Sequence, residues 1–206
     1  VLVLFGWVDG ASPVTSTSGD LTPLGGVDDN ENNRGNIQNY YREIDGTEGS
    51  SEAFTLGSDN DCTVHVIEIS GWDTTEPPLA AYDTSGGTKS ASPDPPSRAW
   101  GWSGDTLALC GFIVRGNETI NSQPSGYTEV VNANNGGNAQ HAVSKKAVTT
   151  SPENPSNYSL SSDLENSKYT IVIKGASAAA GVKVWTGSAF VEKPLKVWTG
   201  SAFETK

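Results

Sequence analysis

Three runs of β-branched and aromatic residues constrain this chain most: CTVHVIEI at Cys62 to Ile69, DTLALCGFIV at Asp105 to Val114, and YTIVIK at Tyr169 to Lys174. Side chains branched at Cβ lose rotamer freedom in a helix and pack well on a pleated surface, so these runs read as core strands. Further strand candidates are Val1 to Val8, Asn39 to Ile44, Ala53 to Leu56, Tyr127 to Asn132 and Gln140 to Thr149, with turn-forming residues between them. Amphipathic helical patterns are scarce. The expected fold is all-β, an antiparallel β-sandwich of jelly-roll type over residues 1–174.

The first run, VLVLFGWV, opens in mid-fold without a lead-in, and it lacks the basic leader of a signal peptide. The expectation is that an N-terminal piece is missing and that the partner strand for this edge is absent or borrowed. The stretch Asp83 to Arg98, with Gly-Gly and Pro-Pro and few apolar residues, reads as a long surface loop. Trp72 lies before it and Trp100 and Trp102 after it, as indoles that anchor the loop over the sandwich edge or contact a glycan.

The last 24 residues carry the phrase KVWTGSAF twice, at Lys183 to Phe190 and Lys196 to Phe203. In each copy a short apolar arm meets a Thr-Gly turn and a second apolar stub, the pattern of a miniature β-hairpin. So small a unit cannot bury its own rings, and an isolated two-stranded hairpin is marginal in water. Val184, Trp185, Phe190, Val197, Trp198 and Phe203 therefore need a surface on the main domain or on another chain. They are the expected assembly interface. Residues 175–182, rich in Gly, Ala and Ser, read as a flexible linker between sandwich and tail.

A formal net charge of −11 with 13 Lys and Arg leaves no basic stripe, which argues against a nucleic-acid partner. No apolar run approaches the roughly 20 residues of a membrane-spanning helix, so no membrane partner is expected.

The motifs ISGW (Ile69 to Trp72), SPDPPS (Ser92 to Ser97), WSGDTLAL (Trp102 to Leu109), PSGYT (Pro124 to Thr128) and YTIVIK resemble those of virion structural proteins of tailed bacteriophages. The KVW-x-G-S-A units are similar to terminal repeats on phage head and tail proteins, with Thr186 and Thr199 where an Asn is frequent there. The likeness covers about residues 60 to 206. It implies a non-enzymatic virion β-sandwich: a capsid decoration, a head fibre or a tail-associated subunit. Its partners would be other virion proteins and copies of itself, in a particle assembled in the host cytoplasm and released outside. A glycan- or receptor-binding module is the alternative, since loop ends of jelly rolls serve such duties.

Chemistry-bearing residues form no recognisable catalytic or metal signature. Asp28, Asn30 and Asn32 have the alternation of a calcium loop, but Asn33 and Asn39 stand where Gly and Glu belong. Asp59 to Asp61 fares no better. The two histidines, His65 and His141, have no second ligand at short spacing and are expected on sheet surfaces. Pairs such as Asp45 with Glu48, or Glu43 with Glu52, are the acids a glycosidase would need, at unknown separation. No Gly-x-Ser-x-Gly elbow is present. No metal and no cofactor are expected. Cys62 and Cys110 are expected as free, buried thiols.

Overall fold

The structure is a computed structural model and describes residues 2–8, 15–16, 21–27, 35–44, 54–55, 61–85, 88–136, 138–176, 182–185, 190–193, 196–198 and 203–205. It contains strands and no helix among those residues, and every sheet pairing is antiparallel. The chain divides into two compact units, Val1–Gly175 and Ala176–Lys206.

In the first unit, strands β1 (Leu2–Val8), β3 (Thr22–Val27), β4 (Gly35–Tyr41) and β6 (Asp61–Ile67) form a four-stranded sheet in the order β3-β4-β1-β6. Strands β7 (Leu79–Thr84), β8 (Thr106–Val114), β10 (Thr128–Asn134), β11 (Gln140–Val148) and β13 (Asn166–Lys174) form a five-stranded sheet in the order β10-β11-β8-β13-β7. Two short pairs complete the unit, β2 (Thr15–Ser16) with β5 (Phe54–Thr55) and β9 (Ile120–Ser122) with β12 (Ser159–Leu160).

The two large sheets enclose a shared core of Leu2, Leu4, Ile37, Leu109, Ile113, Val143, Tyr169, Ile171 and Ile173. A second core lies on the opposite face of the five-stranded sheet, built from Ala108, Cys110, Phe112, Val114, Ala142 and Val172. Trp100, Tyr127, Tyr158 and Leu160 cover it. A strand buried on both faces needs apolar side chains at consecutive positions rather than at alternate ones. This is the reason β8 reads as a near-continuous apolar run.

Strand β1 is not short of partners, because β4 and β6 flank it on both sides in continuous register, Leu4 opposite Asn39 on one side and His65 on the other. The stretch from Asp83 to Arg98 carries no regular strand beyond Thr84 among its described residues, as expected of a loop, but it is packed down onto the domain. Its first residues finish β7, Pro93 and Pro95 are buried, and isolated bridges tie Ser90 to Leu164 and Arg98 to Glu153. It forms part of the cover over the second core. The strand expected from Asn39 begins four residues earlier, at Gly35.

Tyr158 locks that cover down. Its hydroxyl donates to the Cys110 carbonyl oxygen at 3.0 Å and lies 2.9 Å from the Ser144 hydroxyl, while its ring meets Phe112 edge-on at 4.8 Å. Tyr158→Phe keeps the ring and removes these hydrogen bonds, which typically costs about 0.5–1.5 kcal/mol each. The expected result is a lower urea midpoint with an unchanged denaturant slope, read by tryptophan fluorescence.

Candidate functional site

In the second unit, β14 (Val182–Trp185) pairs with β15 (Phe190–Lys193), and β16 (Lys196–Trp198) pairs with β17 (Phe203–Thr205). The two pairs share one register. Trp185 stands opposite Phe190, and Trp198 stands opposite Phe203, in each case at the pair that closes on the connecting segment. Val184 faces Val191, whereas Val197 faces Glu204. The expected Thr-Gly turns at 186–187 and 199–200 lie outside the described residues, as do the Asp28 to Arg34 cluster, Asp59, Asp45, Glu48 and Glu52.

The three indoles of the body are placed individually. Trp100 is buried in the second core and held by Ser151, whose hydroxyl accepts from the Trp100 N–H and donates to its carbonyl, both at 2.9 Å. Trp102 stacks on it with centroids 6.1 Å apart and donates its indole N–H to the Thr106 hydroxyl at 2.9 Å. Trp72 is half-buried, packs edge-on against Tyr41 at 5.6 Å, and donates to the Glu76 carbonyl at 3.0 Å. It also lines an open groove of about 370 Å³ with Glu43, Ile44, Glu68, Ile69 and Thr74. Trp72 and the tryptophan pair thus sit on different parts of the unit, one in the first core and two over the second.

Gly175, which the sequence places at the head of a linker, is bound into the first unit. Its N–H donates to the Asp105 carbonyl at 2.8 Å, and its backbone bridges to Trp72. Beside it Lys174 reaches Asp73 at 2.9 Å. That ion pair, after the hydrogen bonds from Thr75, helps hold the Asp73 carboxyl down at about 2.

The histidines are the largest departure from expectation. They do not lie on sheet surfaces. His65 on β6 and His141 on β11 meet between the two sheets with ring centroids 4.6 Å apart, 8% and 0% exposed. His141 Nε2 lies 3.1 Å from the Tyr169 hydroxyl, while His141 Nδ1 and His65 Nε2 have no hydrogen-bond partner among the described residues. Burial lowers the pKa of both rings. For His141 the facing His65 lowers it further, and for His65 the backbone of His141 acts in the opposite direction. Two neutral imidazoles in contact form a structural pair, and among the described residues no group of three or more His, Cys, Asp or Glu gathers as a metal site.

The thiols are free, but only Cys110 is fully buried; Cys62 is half-buried on the outward face of edge strand β6. Burial pushes the Cys110 thiol up to about 12, so it is a packing group and not a nucleophile. Glu153 is a buried carboxylate whose charge is met by Lys146 at 2.9 Å and whose oxygen accepts from the Tyr127 hydroxyl at 3.1 Å. Comparison with protein-family models, with curated proteins and with solved structures finds no match to this chain.

Proposed function

We propose that this chain is a non-enzymatic structural subunit of a tailed-bacteriophage particle, a capsid decoration, head-fibre or tail-associated protein that assembles through its C-terminal repeats. The body would be a sandwich of jelly-roll type and the tail a tandem of docking hairpins. The observation that carries this reading is the recurrence of one phrase in one register, with tryptophan opposite phenylalanine in both β14–β15 and β16–β17. Two strands of three or four residues enclose no interior, so their rings gain burial only against a further surface. Four aromatic side chains that each lose about 150 Å² or more to such a surface contribute several kcal/mol at about 25 cal/mol per Å², before ordering costs. A symmetric assembly repeats that contact at every copy.

A second reading, a glycan-binding module, draws on Trp72 beside its open groove, since Trp100 and Trp102 are committed to the second core. Removal of Lys183 to Lys206 separates the two. The assembly reading expects a body that stays folded by circular dichroism and no longer incorporates into particles; full incorporation of the truncated chain contradicts it. The glycan reading expects retained signal on a glycan array, lost with Trp72→Ala.

A further inference from the structure

The geometry points to a receptor for the tail on the body itself: the groove of Glu43, Ile44, Glu68 and Trp72 receives the Lys-Val-Trp phrase from the C-terminal unit of a second copy. This rests on the assembly reading and names its surface. The groove combines apolar and acidic walls. Ile44 is 52% exposed beside the Trp72 indole, whose N–H is already engaged by Glu76, so the groove offers hydrocarbon with no donor from that ring. Glu43 and Glu68 are exposed at its rim, and among the described residues no lysine or arginine lines it. A ligand that matches such a surface carries a cation next to an apolar side chain.

The chain supplies that chemistry twice, at Lys183-Val184-Trp185 and at Lys196-Val197-Trp198. Charge is divided in the same sense. Residues 183–206 hold four lysines and two glutamates, whereas residues 1–182 hold nine cations against 22 acids. A net-basic tail and a strongly acidic body attract one another over about a Debye length before any contact forms. Each tail carries two such phrases, so it can engage a neighbour with either. Contacts of this donor-to-acceptor kind are heterologous and close into rings or propagate along a lattice.

The test is self-association of the full chain by sedimentation velocity, at low and high salt. Glu43→Lys with Glu68→Lys, or Lys183→Glu with Lys196→Glu, should each weaken association at least tenfold at low salt. The chain that carries all four changes should recover it, because the charges are exchanged and the pairing kept. Unchanged association in the groove variant, or no recovery in the fourfold variant, overturns the assignment. If Trp185→Ala with Trp198→Ala abolishes association while the groove variant does not, the tail docks elsewhere: the assembly reading stands and the groove falls. A wild-type chain that stays monomeric at all concentrations overturns the groove assignment, as does a salt-sensitive contact confined within one chain; the assembly reading is then decided by incorporation into particles.

Discussion

Gly111→Val is expected to remove a large share of the protein's stability. Gly111 sits in the middle of β8, paired with Val143 on one side and Tyr169 on the other. A Cβ there would lie 2.5 Å from the Ala142 carbonyl oxygen and 2.5 Å from the Tyr169 hydroxyl. The tyrosine ring folds over the glycine, so that the hydroxyl reaches His141 on β11. A larger residue displaces the ring, breaks that hydrogen bond inside the core and presses on a backbone carbonyl that has no room to retreat. Overpacking alone costs about 1–3 kcal/mol, and an orphaned buried donor or acceptor adds about 1–3 kcal/mol. Together they come to about 2–6 kcal/mol, a large share of a whole-domain stability of about 5–15 kcal/mol. Gly101→Ala is the control, because a Cβ there meets nothing within 4 Å, and its urea midpoint should match that of the wild type.

Acid should loosen the seam between the sheets well before it titrates the carboxylates. Both histidines are buried with lowered pKa values, so the unfolded chain binds protons that the folded chain refuses. Their contribution is complete above the ordinary histidine value of about 6.5 and is lost as pH falls below it. The slope approaches about 1.4 kcal/mol per pH unit for each histidine that stays neutral in the folded chain, so stability falls progressively as pH drops below about 6.5. Groups that face the pair do not soften this: Leu4, Gly6 and Ile113 are apolar, and Tyr169 is a phenol whose pKa burial raises further. Asp73, held at about 2, belongs to a separate window below pH 4. Urea titrations at pH 7.5 and pH 5 measure the effect. His65→Leu removes one titrating ring and should flatten the pH dependence; an equal pH slope in wild type and variant would place the protons elsewhere.

Strands whose side chains alone demand burial were legible in the sequence. Strands β6, β8 and β11 fall within one or two residues of the runs that announce them and β13 starts three residues before its run, because strand-forming side chains mark them whatever they pair with. Strands β3 (TPLGGV) and β7 (LAAYDT) carry no such signal. They lie at sheet edges, where pairing to one neighbour suffices and where Pro23 and a bulge before Gly25 are tolerated. The cover over the second core was invisible for a different reason. Its prolines read as turn formers, and only long-range bridges such as Arg98 with Glu153 turn that segment into a packed layer. The histidine contact depends on how β6 stacks over β11, a relation between sheets that no local pattern encodes. In the tail the repeat itself was the signal, and the equal register of its two copies adds a reason to regard them as one device used twice.

On the proposed reading, Trp185 and Trp198 are covered by a neighbouring copy once the protein assembles. Hydroxyl-radical footprinting with residue-resolved mass spectrometry reads each indole separately, in assembled and in dissociated protein. Strong protection of both rings on assembly, with Trp102 unchanged as an internal reference, is the predicted result. Oxidation of Trp185 and Trp198 at the same rate in both states would contradict it.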